Sequence, residues 1–279
     1  MSVWFVTGAS RGFGAGIVAE ALARGNQVVA AARRPGEIER TERLLPLALD
    51  VTDEDQAHAA VEAAVREFGR IDVVVNNAGR GLLGAVEEAS DSAARAIFDT
   101  NVFGVLNVQR AVLPVLREQR SGRLIQLSSV GGFIGTPGWG VYAATKFAVE
   151  GLSEALHGEL KPLGIDVTIV EPGLFRTDFL DESSLHQAGQ LADYAETVGA
   201  MRGSLAEWNH AQPGDPIKAA RAIVDLAELS DPPLRIQLGA DAVARVEAKL
   251  DLVRTELDRW RKVSLSTDHD ELSTDHDNV

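Results

Sequence analysis

Val3-Trp4-Phe5-Val6-Thr7-Gly8-Ala9-Ser10-Arg11-Gly12-Phe13-Gly14 is an apolar run that ends in a glycine-rich turn. Apolar residues on consecutive positions read as a strand buried on both faces. The segment after the turn, to about residue 24, reads as a helix. Strand, glycine turn and helix in that order open a βαβ unit. Glycines let the backbone approach a pyrophosphate closely, and the helix N-terminus offers N–H groups and a partial positive charge. A glycine turn alone is weak evidence, because tight turns need glycine anyway. Its position directly after the first strand gives it weight. Gly8, Ser10, Arg11, Gly12, Phe13 and Gly14 are therefore the first candidate nucleotide contacts.

The same rhythm continues down the chain. Further strands are predicted at Gln27–Ala31, Leu44–Leu49, Ile71–Val75, Arg123–Leu127, Ile165–Val170 and Leu234–Leu238. Helical segments lie between them near 13–24, 53–68, 91–118, 140–161 and 215–229, with Gly25, Gly69 and Pro162 punctuating their ends. Right-handed crossovers then lay helices on both faces of a mainly parallel seven-stranded sheet, a three-layer, doubly wound α/β domain over residues 1–240. Residues 174–214 show no convincing strand and read as a substrate loop or lid, with short helices allowed. Residues 240–262 form one helix, with Val243, Val246, Leu250, Val253, Leu257 and Trp260 on a stripe that asks for a buried partner. The tail, 263–279, reads as a flexible acidic end.

Composition limits the partners. The chain has 279 residues, a formal net charge of −14 and no cysteine. The absence of cysteine removes disulfides, thiolate zinc sites and a cysteine nucleophile together. The acidity opposes binding to nucleic acid or to an anionic membrane surface. No apolar run approaches the roughly 20 residues that cross a bilayer, and no targeting segment is visible. A cytoplasmic protein is expected, without a metal site.

Two further constellations carry chemistry. The second strand ends Ala30-Ala31-Ala32-Arg33-Arg34, with no acid until Glu37. A carboxylate there would repel a ribose 2′-phosphate, whereas guanidinium forks receive one. Arg33 and Arg34, with Arg11 as a third cation, make NADP(H) the expected cofactor. Tyr142 and Lys146 lie four apart on a helix and share one face. An ammonium close to a phenol lowers its pKa from about 10 toward working pH. Tyr142 is thereby a candidate proton donor to a carbonyl, or a base toward an alcohol. Ser129, at the carboxyl end of the strand before it, is placed where open sheets hold ligands.

With these residues in view the sequence resembles the short-chain dehydrogenase/reductase family over residues 1 to about 240. The resemblance rests on Thr7–Gly14, Asp50-Val51, Asn76-Asn77-Ala78-Gly79, Asn101 within Thr-Asn-Val-Phe-Gly, Ser129 lying 13 residues before Tyr142, Lys146, and Pro172-Gly173 with Thr177. It implies a Rossmann fold and a catalytic set of Asn101, Ser129, Tyr142 and Lys146. Cofactor contacts implied beyond the glycine turn are Arg33, Arg34, Asp50, Val51, Asn77, Ala78, Gly79, Tyr142, Lys146, Pro172, Gly173, Phe175 and Thr177. In that scheme Tyr142 exchanges the proton, Ser129 orients the substrate oxygen, Lys146 depresses the Tyr142 pKa and holds the nicotinamide ribose, and Asn101 holds a relay water. The resemblance also implies a homodimer or homotetramer. Trp139-Gly140-Val141, with Phe133, Phe175, Phe179 and Trp208, hints at an apolar carbonyl or alcohol substrate. The competing readings are an NAD-dependent alcohol dehydrogenase, and a cofactor-sensing or scaffold protein on the same fold. His157 has no partner at ligand spacing and reads as structural.

Overall fold

In the computed structural model, which describes residues 1–36 and 38–269, the chain runs β1 (Val3–Thr7), α1 (Gly12–Ala23), β2 (Gln27–Ala32), β3 (Leu44–Ala48), α2 (Glu54–Phe68), β4 (Val73–Asn76) and β5 (Gly81–Leu83). It continues through α3 (Asp91–Phe98), α4 (Gly104–Gln119), β6 (Gly122–Leu127), α5 (Gly140–Leu160), β7 (Ile165–Pro172) and β8 (Leu185–Gln187). It closes with α6 (Ala200–Trp208), α7 (Pro216–Glu228), β9 (Arg235–Leu238) and α8 (Ala240–Leu265). Seven strands form one sheet in the order β3-β2-β1-β4-β6-β7-β9. Every pairing in it is parallel.

The consecutive apolar residues are explained by the two sides of this sheet. Val29 and Ala31 of β2 join Phe5, Val74 and Leu124 in a core with residues of α2 and α4. Their neighbours Val28 and Ala30 join Trp4, Val6, Val73 and Val75 in a second core with residues of α1 and α7. A residue on either face of these strands is buried, so alternation disappears from the sequence. Local signals set the helix ends. Asp53 caps α2 by accepting from the Gln56 N–H at 3.0 Å, and Gly69 ends it at φ 79°.

Four expectations need correction. The single helix expected over 91–118 is interrupted: Asp99–Phe103 form one π-helical turn between α3 and α4. A single π turn of five residues is too short to declare a periodicity of its own in sequence. Between β2 and β3 the short segment Pro35–Arg43 leaves room for only a clipped helix, and none forms among the described residues. The loop 174–214 does hold a strand, because β8 pairs in parallel with β5. Each is three residues long, too short for a periodicity to declare itself. Finally, the apolar stripe of α8 is only buried at its root. Ala242 and Val246 pack with Val130, Phe133 and Ile134. Val243, Leu250, Val253, Leu257 and Trp260 are 43–54% exposed. At 1.5 Å per residue α8 is about 39 Å long and outruns the domain face beneath it. It extends to Leu265, three residues past the expected end. The rest of the acidic tail, 270–279, and Glu37 lie outside the described residues. No helix of the described chain is long and apolar enough to cross a membrane.

Candidate active site

The carboxyl ends of the central strands open into a cleft of about 1460 Å³. At its floor the β1–α1 turn is built so that only glycine fits. Gly8 and Gly12 have φ of 63° and 54°, in the left-handed region. A Cβ on Gly14 would stand 2.2 Å from the Gly8 carbonyl oxygen. Thr7 Oγ1 fixes the turn to the next loop by accepting from the Asn77 and Ala78 N–H groups, each at 3.0 Å. Asn77 Nδ2 donates back to the Thr7 and Gly8 carbonyls at 2.9 and 3.1 Å. Asn77 therefore shapes the cradle through its side chain. Gly14 serves it from behind the lining.

Every expected cofactor contact except Gly14 lines this cleft, as do Ser129, Tyr142 and Lys146. Arg33 and Arg34 stand exposed at the end of β2, and neither forms an ion pair among the described residues. Arg11 is occupied differently: its guanidinium donates to Ser183 Oγ at 2.5 Å and Ser183 O at 3.1 Å, joining the glycine turn to the lid. Asp50 accepts from the Thr52 N–H and hydroxyl at 3.0 and 2.8 Å, and Asn107 Nδ2 holds the Val51 carbonyl at 2.9 Å. Asp241, at the start of α8, accepts from the Leu174 N–H at 2.9 Å. Phe175 meets Phe13 edge-on, with ring centroids 5.2 Å apart. These residues suit a dinucleotide: a glycine cradle at a helix N-terminus, and two guanidinium groups at the end of β2 without an ion pair among the described residues.

Asn101 sits one layer beneath the lining, 1% exposed, inside the π turn. Its Nδ2 donates to the Arg80 carbonyl at 2.9 Å and to Thr145 Oγ1 at 3.0 Å, while Oδ1 accepts from the Arg80 N–H at 2.9 Å. Both of its donors are thus spent on protein. Tyr142 and Lys146 are 9% and 7% exposed. Lys146 donates to the Leu127 carbonyl at 2.7 Å and stands 5.9 Å from the Tyr142 ring centroid.

This arrangement corrects the expected pKa. Burial pushes the Tyr142 phenol up to about 12, with the Ser129 hydroxyl offsetting part of the rise. Burial also brings Lys146 down to about 8, opposed by the charge of Glu150. Desolvation of the phenolate outweighs the ammonium, which spends a donor on Leu127 and lies over the ring.

The substrate end is apolar and partly unforeseen. Tyr142 packs against Trp139 and Phe179 at centroid distances of 5.7 and 5.5 Å. Trp208 lines the cleft as expected, with Met201, Leu205, Gln212 and Arg245 added from the lid and α8. Phe133 does not line it and packs under α8. The lid is pinned by Arg202, which meets the buried Glu88 carboxylate at 2.8 Å. Glu88 also accepts from the Leu191 N–H at 2.8 Å, and these contacts hold its pKa at about 2. Glu88 and Arg202 are 114 residues apart in sequence, and no local pattern marks the pair.

Such a cleft, on such a sheet, defines a dinucleotide-binding α/β oxidoreductase site. The short chain dehydrogenase family model matches residues 2–188, and the chain belongs to that family, whose members are oxidoreductases. The chain is 40% identical over 237 residues to a 3-ketodihydrosphingosine reductase from Bacteroides thetaiotaomicron, covering 84% of this chain and 86% of that one. A short-chain dehydrogenase from Streptomyces avermitilis has the same fold at a TM-score of 0.89, with 42% identity over 96% of this chain and all of the other. A short-chain dehydrogenase from Burkholderia cenocepacia in complex with NADP aligns at a TM-score of 0.73 and 27% identity, covering 92% and 96% of the two chains.

Proposed function

We propose that this enzyme is an NADP(H)-dependent oxidoreductase that interconverts a ketone or aldehyde with its alcohol, Tyr142 serving as general acid or base. The observation that carries the reading is the common cleft. One end holds the glycine cradle with Arg33 and Arg34, and the other holds Ser129, Tyr142 and Lys146. When bound, the nicotinamide supplies or accepts the hydride, and its oxidised ring adds positive charge to the site. The chain's own residues do the rest. Ser129 orients the substrate oxygen toward the Tyr142 hydroxyl. Lys146 provides the fixed positive charge that a developing phenolate requires at this depth. Asn101 holds the π turn against Arg80 and Thr145.

Aromatic and aliphatic walls (Trp139, Phe179, Met201, Leu205, Trp208) favour an apolar carbonyl compound. The Bacteroides relative, named for a ketone reductase, and the NADP-bound Burkholderia neighbour support the same choice. The exposed apolar face of α8 supports a homodimer or homotetramer, and the sequence features support a cytoplasmic protein. The test is optical measurement of NADPH consumption against aromatic aldehydes, cyclic ketones and long-chain ketones. Tyr142→Phe is expected to lose about 10²- to 10⁴-fold in turnover while retaining NADPH binding. Undiminished turnover in that variant would refute the assignment of Tyr142.

A further inference from the structure

Tyr142, Lys146, Glu150 and Glu154 recur every fourth residue of α5 and so form one column along the helix. The first two belong to the proposed chemistry. Glu150 continues the column into the protein and is 6% exposed. Across from it, on β7, Glu171 is fully buried. A single side chain from β9 serves both: Arg235 donates its one Nε–H to Glu150 Oε2 at 3.1 Å, and the same nitrogen lies 3.2 Å from Glu171 Oε1. One N–H cannot satisfy two carboxylates. Its Nη2 meanwhile pairs with the half-exposed Glu154.

Among the described residues the remaining neighbours add no cation beyond Lys146. Gln237, on β9, donates to Glu171 Oε2 at 3.1 Å. Ser128, after β6, borders the Glu150 carboxyl, since a Cβ on Gly132 would touch Ser128 Oγ at 2.4 Å and Glu150 Oε1 at 3.0 Å. Gln126, Ser128 Oγ, Glu150 Oε1 and Glu171 Oε1 are buried without a hydrogen-bond partner among the described residues. Two buried carboxyls that compete for one N–H, with only the Ser128 hydroxyl beside Glu150 and Gln237 on Glu171, are a site with a proton to place.

We propose that Glu150 and Glu171 share one proton across Arg235, and that Glu150, the ionised member of the pair, supports the charge of Lys146 and with it sets the alkaline limit of the reaction. At neutral pH Glu150 stays ionised and supports the Lys146 ammonium one helical turn away, while the proton rests on Glu171. Burial raises both carboxyls above the ordinary glutamate range, as the sharing requires. Glu150 acts through Lys146 and is a positioning residue. The part of the inference that concerns Lys146 rests on the function proposed above; the shared proton does not.

The experiment separates the two. The full chain, with 13C-labelled glutamate and lysine side chains, is titrated by NMR as wild type, Glu150→Gln and Glu171→Gln. The wild type is expected to show one of the two carboxyls titrating above the usual glutamate value of about 4.3. Either substitution should return the remaining carboxyl toward that value, because one Arg235 then faces one carboxylate. Two ordinary titrations, or a raised one that ignores loss of its neighbour, would overturn the sharing. The Lys146 midpoint should fall in Glu150→Gln and hold in Glu171→Gln; equal behaviour in both would overturn the link to Lys146. In turnover, Glu150→Gln should move the alkaline limb of kcat to lower pH, while Glu171→Gln should leave that limb in place. Absent turnover in the wild type would count against the proposed function and leave the NMR result to decide the shared proton.

Discussion

Replacing Arg33 by Ala tests the cofactor assignment. Arg33 and Arg34 line the cleft at the end of β2, exposed and free of ion pairs among the described residues. Arg11, the third cation expected there, is held by Ser183. A hydrogen bond to a charged group contributes about 1.5–3 kcal/mol. Losing it should raise the NADPH Kd or KM by about 10- to 150-fold, since 1.4 kcal/mol is tenfold. The lower end is expected near 0.15 M salt, where exposed charges are screened over about 8 Å. NADH lacks the 2′-phosphate and should be almost unaffected. The double variant with Arg34→Ala should erase the remaining preference. The assay is initial rates with both cofactors at two ionic strengths, backed by fluorescence titration of each cofactor. Equal losses for NADPH and NADH would refute the reasoning, as would an unchanged NADPH affinity. Either result would place the phosphate elsewhere or make the enzyme NAD-dependent.

Two further outcomes follow from the cradle and the buried lysine. Gly14→Ala puts a methyl 2.2 Å from the Gly8 oxygen, so the turn must move; cofactor binding is expected to disappear in calorimetry while circular dichroism remains folded. Lys146→Met should stabilise the chain at pH 7, because the buried ammonium titrates at about 8 instead of 10.5, a cost of roughly 3 kcal/mol. Less about 1 kcal/mol for the lost Leu127 hydrogen bond, Tm should rise by about 5 °C. The sign follows from a depressed folded pKa: the wild type is at full disadvantage below pH 8 and recovers as pH rises toward 10.5. The gain should therefore vanish or reverse in thermal scans above that pH, and a gain independent of pH would contradict it.

What the sequence conveyed depended on the length over which a signal repeats. Residue runs such as Val28–Ala32 and Val73-Val74-Val75 announce strands because both sheet faces are buried. All seven strands of the main sheet were therefore readable, with ends shifted by a residue or two. The glycine turn and the Ser129, Tyr142 and Lys146 set were readable because spacing along one strand–turn–helix unit fixes geometry. Pairings such as Glu88 with Arg202, or Glu150 with Arg235, join residues 85 or more apart in sequence. They depend on tertiary contact that no local pattern encodes. The π turn at Asn101 and the strand at Leu185–Gln187 were hidden by their brevity. The stripe on α8 was legible as apolar, but what lies against it is not a property of the helix alone.

The direction of the Tyr142 and Lys146 shifts carries a consequence for catalysis. In the unliganded chain burial works against both charged forms, raising the phenol and lowering the amine. The phenol as folded is therefore held neutral, while Lys146 keeps its charge only up to about pH 8. A site that stored phenolate permanently would need a compensating cation at the hydroxyl, yet Lys146 gives a hydrogen bond to Leu127. On the proposed function, positive charge arriving from outside the chain would tip the balance and couple proton transfer at Tyr142 to occupancy of the cleft. The same column of α5 places Glu150 where it opposes the loss of charge on Lys146. Desolvation holds the Tyr142 phenol neutral, and on the proposed function positive charge brought into the cleft would favour its ionisation.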